Sequence, residues 1–63
     1  MKIRITDHGT VVGFTPLDKE AVKFLRSVGA SPYQFMGDSL YIDHRVAQDF
    51  IAQSADDGVE YSR

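Results

Sequence analysis

Alternating polar and apolar residues mark the start of the chain. Every second residue of segment 2–5 (KIRI) is apolar, and a second apolar segment, 11–14 (VVGF), follows a stretch that contains Gly9. A period of two is typical of strands with one buried face. A glycine between two such segments favours a tight turn. The pattern therefore predicts a β-hairpin.

A helical period replaces the alternation after residue 15. We expect Thr15 to cap this helix, with Pro16 at its first position and Asp18 in the place of a capping-box acid. Spacings of three and four then put these apolar residues on one helix face: Leu17, Ala21, Phe24, Leu25 and Val28. Gly29 is expected to end the helix.

A second hairpin is predicted after the first helix. Segments 33–36 (YQFM) and 39–42 (SLYI) flank the pair Gly37-Asp38. A two-residue loop with glycine in first place is typical of a type II′ turn.

A second helix and a short strand complete the pattern. Asp43 stands where an N-cap belongs, and Gly58 is expected to end the helix. The predicted apolar face of this helix consists of Val46, Ala47, Phe50, Ile51 and Ser54. Residues 59–61 (VEY) alternate again and predict a last strand.

The element order ββα-ββα-β predicts one small α+β domain over residues 1–63. A two-layer arrangement, with an antiparallel-rich sheet of four or five strands and both helices on one face, is the simplest way to bury both apolar helix faces. The sheet residues expected to face the helices are Ile3, Ile5, Val12, Phe14, Phe35, Leu40 and Ile42.

Length and composition narrow the class of protein. A domain of 63 residues buries only about 60% of its unfolded surface, so support from a homo-oligomer or a larger complex is a fair expectation. The chain has no cysteine, which excludes disulfides and thiolate metal sites. No apolar run reaches the ~20 residues of a membrane span, and the first residues lack the apolar core of a signal peptide. We expect a cytoplasmic protein with no membrane association.

Two Asp-His pairs, Asp7-His8 and Asp43-His44, are the main candidates for chemistry. Two imidazoles and a carboxylate could bind zinc or iron if the pairs met. We favour a structural interpretation, because the residue before the second helix is expected at the far end of a strand from the first hairpin turn. No metal site is therefore predicted.

The structural interpretation also explains Arg45, which follows the second Asp-His pair. Asp43 caps the helix, His44 falls at its first position, and Arg45 pairs with Asp49 four residues later. The chain has neither a G-x-S-x-G elbow nor a glycine-rich phosphate loop, so no catalytic residue and no cofactor is predicted. We expect a non-enzymatic protein.

Charge is unevenly distributed along the chain. Residues 1–31 carry a net charge of +2 and residues 32–63 carry −4. Exposed helix faces must carry charge in any case, but an acidic surface with a tyrosine anchor would suit a protein partner. The residues predicted to form such a partner-binding surface are Asp38, Tyr41, Asp49, Asp56, Asp57, Glu60 and Tyr61.

Nucleic-acid binding is the first alternative. Basic residues beside an aromatic on an exposed sheet face are typical of RNA-binding sheets. The candidate residues are Lys2, Arg4 and Tyr41 on the sheet, joined by Lys19, Lys23 and Arg26 on the first helix. We rank this alternative below protein binding, because the net charge is −2 and only one aromatic is placed on that face. A self-associating structural subunit is the second alternative.

Three segments, DHGTVVGFTPLDKEAVKFL, GDSLYIDHR and DDG, together resemble a group of small uncharacterised proteins encoded by phages and prophages. The shared pattern is an H-G turn, a T-P helix start, a G-x-x-L strand leading into acid-His-Arg, and a closing D-G. The matching residues are His8, Gly9, Thr15, Pro16, Ala21, Gly37, Leu40, Asp43, His44, Arg45, Asp57 and Gly58. The chain departs from the group at Phe24, where tryptophan is usual, and at Val46, where an aromatic is common.

The resemblance implies a phage or prophage origin and names no activity. Small phage accessory proteins commonly bind a host protein, including components of defence systems and of transcription. The resemblance thus implies an accessory protein, in some cases an inhibitor, that acts on a host protein in the host cytoplasm.

Overall fold

The computed structural model describes residues 1–28 and 35–63. The elements are β1 (Lys2–Asp7), β2 (Val11–Pro16), α1 (Lys19–Ser27), β3 (Phe35–Met36), β4 (Ser39–Asp43), α2 (His44–Asp56) and β5 (Glu60–Ser62). The predicted order ββα-ββα-β is confirmed. The predictions for residues 29–34, including the helix end at Gly29 and the first half of strand 33–36, lie outside the described residues.

The five strands form one mixed sheet in the order β3-β4-β2-β1-β5. The β1–β2, β2–β4 and β3–β4 pairs are antiparallel, while β5 lies parallel to β1. The two hairpins meet through β2 and β4, which makes β2 the central strand.

One face of the sheet packs against both helices. Ile3, Phe14 and Leu40 are completely buried there. Ala21 and Leu25 from α1 and Ala47 from α2 complete the same apolar cluster. All seven sheet residues predicted to face the helices lie in this cluster or pack against it. The small α+β fold is therefore confirmed.

The start of α1 differs from the expectation. Asp18 is the N-cap, and its carboxylate accepts hydrogen bonds from the backbone N–H groups of Ala21 at 2.8 Å and Lys2 at 2.9 Å. Thr15 and Pro16 instead belong to β2, where they pair with β1. The prediction of Thr15 as a cap is wrong, because pairing along β1 extends the strand past it and leaves the capping position to Asp18.

On both helices, some residues predicted to lie on the buried apolar face are exposed. Leu17 precedes α1 and is 46% exposed, and Val28 at the end of α1 is 40% exposed. On α2, Val46 is 56% exposed while Ala47 is buried. Adjacent helical residues point about 100° apart, so the sheet covers Ala47 and leaves Val46 outside.

The turns agree with the glycine pattern. Gly37 has a φ of 63° and lies between β3 and β4, and Asp38 has a negative φ. This combination fits the predicted type II′ turn. Gly58 follows the C-cap of α2 with a φ of 89°, a conformation that favours glycine after a helix end.

Candidate functional site

No element within residues 1–28 and 35–63 covers the sheet face opposite the helices, and we call this the open face. Arg4 pairs with Thr15, and Met36 pairs with Ser39, so these side chains form one row across the sheet. The Thr15 and Ser39 hydroxyls lie 3.0 Å apart and connect β2 with β4. The centre of the open face is therefore polar and is held by a side-chain hydrogen bond.

An aromatic pair lies in the next row of the open face. The rings of His8 and Tyr41 have their centroids 5.6 Å apart and are inclined by 47°. Gly13 lies beneath them, because a Cβ at this position would approach Tyr41 Cε1 to 3.0 Å and His8 Nε2 to 3.4 Å. The missing side chain lets both rings rest on the sheet backbone. An isolated glycine inside the strand pattern VVGF was the sequence signal for this close approach.

Replacement of Gly13 by alanine should separate the ring pair. Because the new methyl group would be 3.0 Å from the Tyr41 ring, Tyr41 should move outward while the fold is retained. We expect a stability change under about 1 kcal/mol, since alanine is favoured over glycine in a strand interior. The His8 ring-proton chemical shifts should move toward free-histidine values. Unchanged shifts would contradict the close packing of the two rings on Gly13.

The predicted acidic surface is divided by the strand order. Asp38 lies in the turn between β3 and β4, and its Oδ1 accepts from Arg26 Nη2 at 3.1 Å. Glu60 lies on β5 at the opposite edge of the sheet. Four strand spacings of about 4.8 Å separate the two edges by roughly 19 Å. Asp38 and Glu60 therefore do not adjoin, and their role in partner binding stays a prediction.

Tyr61 belongs to the core. Its ring meets the Phe14 ring edge-on with a centroid distance of 6.1 Å, and its hydroxyl is hydrogen-bonded to that of Ser54. Burial raises the pKa of the Tyr61 hydroxyl. The Tyr61 ring therefore packs against the core and its hydroxyl is already hydrogen-bonded, which suits an anchoring role poorly; that role stays a prediction. Tyr41 lies on the open face, where it is half-buried beside His8.

The acids of α2 remain together. Asp49 and Asp56 are exposed and are separated by seven residues, which places them on the same side of the helix. Asp57 follows as the C-cap and lies beside Phe24 and Phe50 instead. Their role in partner binding stays a prediction.

The basic residues of the nucleic-acid alternative fall into two groups. Lys2 and Arg4 are exposed on the open face together with Tyr41, whereas Lys19 and Lys23 lie on α1 in the other layer. Arg26, also on α1, pairs with Asp38. The sheet residues and the helix residues of this prediction therefore lie on different surfaces.

Asp43 is the N-cap of α2, as expected. Its Oδ1 accepts from the Arg45 backbone N–H at 2.9 Å and lies 3.3 Å from Arg45 Nε. The backbone hydrogen bond from Arg45 is the main reason that the pKa of the Asp43 carboxyl is lowered. Arg45 therefore pairs with Asp43, two residues before it, and not with Asp49 as predicted.

The two capping carboxylates, Asp18 and Asp43, should make the protein's stability depend on pH in the acid range. Hydrogen bonds from Ala21 N–H and Arg45 N–H lower the pKa values of Asp18 and Asp43 below 3.8, the ordinary value. Their contribution is therefore complete above that value and is lost as pH falls through the lowered pKa. Urea midpoints measured from about pH 6 to about pH 2.5 should fall at the acid end.

Matched variants identify the source of this acid dependence. Asparagine keeps an acceptor oxygen but cannot titrate, so Asp18→Asn with Asp43→Asn should give a flatter pH profile. Asp43→Ala should lower the midpoint at every pH, because it removes the cap altogether. If the urea midpoint of the double asparagine variant falls with pH as steeply as that of the parent, other carboxylates cause the acid dependence.

The two Asp-His segments meet at one end of the sheet. Asp43 pairs with Val11, and the His44 backbone N–H donates to the Thr10 carbonyl at 3.1 Å. The expectation that these segments lie at separate ends is wrong, because β4 runs antiparallel to β2 and ends beside the first hairpin turn. The imidazoles still diverge. His8 lies over Gly13 on the open face, and His44 lines a cleft on the helix side.

Within residues 1–28 and 35–63, no three His, Cys, Asp or Glu side chains are grouped closely enough to hold a metal ion. In the same part of the chain, no helix combines the length and apolar character needed to cross a membrane. In comparisons with known proteins, no family model, curated protein or solved structure matches this chain.

Proposed function

We propose that this chain is a non-enzymatic accessory protein of phage or prophage origin that binds a host macromolecule through its open face. The partner we favour is a protein, such as a component of a defence or transcription system, which the bound chain would inhibit. The origin rests on the resemblance described above. The surface rests on the geometry of the open face.

The main support for this binding surface is the His8–Tyr41 ring pair above Gly13. A five-stranded sheet is a rigid support, and sites on rigid elements hold contact residues more accurately than loops do. Tyr41 is fixed from below by the sheet and from the side by His8 at a centroid distance of 5.6 Å. Tyr41 would therefore lose little conformational entropy when a partner binds, and preorganisation of this kind favours affinity.

The neighbours of the ring pair also suit a protein partner. Met36 is 72% exposed in the row next to Tyr41, and Arg4 lies in the same row. Tyrosine, methionine and arginine are enriched at protein interfaces, and tyrosine and arginine dominate their binding energy. Glu60 pairs with Lys2 at the β5 edge, so opposite charges share this face, as is common in protein–protein contacts.

One observation favours nucleic acid as a second candidate. Lys2 and Arg4 lie on the same face as Tyr41 and His8, and both rings can stack on bases. The acid at Glu60 and the net charge of −2 weaken attraction to phosphate. For this reason we place the candidate second.

Affinity capture with and without nuclease separates these candidates. The tagged chain would be incubated with bacterial host lysate, and parent and Tyr41→Ala chains would be compared. We expect one host protein to be retained by the parent after nuclease treatment and to be lost with Tyr41→Ala.

Two other outcomes would change the account. Retention that disappears with nuclease and falls steeply with salt would support the nucleic-acid candidate. Equal retention by both chains would exclude the open face as the binding surface. A doubled mass of the purified chain, lost in Tyr41→Ala, would instead assign the face to self-association.

A further inference from the structure

A cleft of about 220 Å³ lies on the helix side, between the first hairpin turn and the start of α2. Its floor is apolar and includes Ile5, Val12 and Ile51 from three different elements. Val12 is buried, and the other two are half-buried against the core. The cleft is therefore built by the fold and is separate from the open face.

The rim of this cleft carries opposite charges. Asp7, His44, Gln48 and Arg63 line it. Ser62 pairs with Arg4 in the parallel β1–β5 ladder, so Arg63 lies next to β1 on the side of the sheet from which Asp7 borders the cleft. His44 and Gln48 face them from the first turns of α2. An acidic and a basic residue thus line one small cleft with an apolar floor.

We propose that the cleft binds a free α-amino acid with an apolar side chain. Asp7 would accept from the ligand's ammonium group, and Arg63 would donate to its carboxylate, a pairing that suits the planar guanidinium. His44 and Gln48 supply further hydrogen-bonding groups on the α2 side. The side chain of the ligand would lie on Ile5, Val12 and Ile51.

The size of the cleft fits this class of ligand. An apolar cavity of about 150 Å³ is large enough to bind benzene, so a cleft of about 220 Å³ can take a ligand somewhat larger than that. Leucine, with about nine non-hydrogen atoms, falls in this size range. A ligand this small is expected to bind with a dissociation constant of about 1 mM.

Titration of the ¹⁵N-labelled full chain with L-leucine tests the proposal. We expect saturable shifts of the backbone amides of Asp7, Gly9, Ala47 and Gln48. Leucinamide lacks the carboxylate and N-acetyl-leucine lacks the ammonium, so each should bind about tenfold more weakly. Glycine, which has no side chain for the floor, should also bind more weakly than leucine.

Variants assign the two charged contacts. Asp7 Oδ1 accepts from the Gly9 backbone N–H at 2.8 Å, so Asp7→Asn removes the charge and keeps this turn acceptor. Asp7→Asn and Arg63→Gln should each weaken leucine binding about tenfold. Asp49→Asn and Lys23→Gln make the same charge changes away from the cleft and should leave leucine binding unchanged.

The proposal is wrong if leucine causes no saturable shift at the cleft amides. It is also wrong if leucinamide and N-acetyl-leucine bind as tightly as leucine, or if Asp7→Asn and Arg63→Gln match the parent. These outcomes leave binding at the open face untouched, because the Tyr41 variant tests that surface separately.

Discussion

Phe14→Ala should remove a large part of the protein's free energy of unfolding. Phe14 is completely buried in the central strand, and its ring meets Phe50 edge-on at a centroid distance of 5.0 Å. Loss of a buried phenylalanine costs about 3–5 kcal/mol. At about 0.05–0.15 kcal/mol per residue, a chain of 63 residues has a free energy of unfolding of only about 3–9 kcal/mol.

Urea denaturation followed by circular dichroism would measure this loss. Phe24→Ala is the matched control, because Phe24 also contacts Phe50, at 6.3 Å, but is only half-buried on α1. The control should lose clearly less stability than Phe14→Ala and remain folded in water. Similar losses for both variants would show that the core is not centred on β2.

Tyr41→Ala should cause the largest loss of partner binding. An anchoring tyrosine contributes about 2 kcal/mol or more at a typical interface, which corresponds to about a 30-fold increase in the dissociation constant. Tyr41 is a surface residue of the open face, so the variant should remain folded. Tyr41→Phe keeps the ring over Gly13 and should retain most of the affinity.

The acidic face of α2 provides the comparison surface. Asp49→Lys with Asp56→Lys should mainly slow association, because charges outside the contact act on the encounter rate. Lys19→Glu with Lys23→Glu makes the opposite change on α1 and should have little effect. A larger loss from the α2 pair than from Tyr41→Ala, with both variants folded, would move the interface to α2 and support the acidic surface predicted from the sequence.

Local patterns in the sequence predicted most of the fold. The alternation around Ile3 and Phe14, the helical spacing of Ala21 and Leu25, and the capping position of Asp43 depend on neighbouring residues alone. These interactions form within an element, so the order of residue types is enough to indicate them. The small α+β class followed from the element order.

Strand pairing limited the rest of the prediction. The order β3-β4-β2-β1-β5 is decided by contacts between residues far apart in sequence, and the alternation pattern is the same for several orders. For this reason the sequence could not indicate that Asp38 and Glu60 lie at opposite edges, or that Asp43 meets the first hairpin turn. Thr15 shows the same limit, since its local capping signal was overridden by pairing with Arg4.

The candidate site was only partly visible in the sequence. Tyr41 and Arg4 were placed on one face by alternation, but His8 lies in a turn and its direction depends on Gly13. The glycine interrupts an otherwise β-branched and aromatic strand, and this interruption is the signal that a ring packs above the backbone. Tyr61 has the same alternation as Tyr41, and only the partner of its hydroxyl, Ser54, identifies it as a core residue.

Hydroxyl-radical footprinting of the captured complex shows which side of the sheet the partner binds. Met36, 72% exposed, and Tyr41 report on the open face, while Val46, 56% exposed, and Val28, 40% exposed, report on the helix side of the same molecule. We predict that bound partner protects Met36 and Tyr41 from oxidation and leaves Val46 and Val28 as reactive as in the free chain. Protection of Val46 or Val28 with unchanged oxidation of Met36 and Tyr41 would contradict binding through the open face.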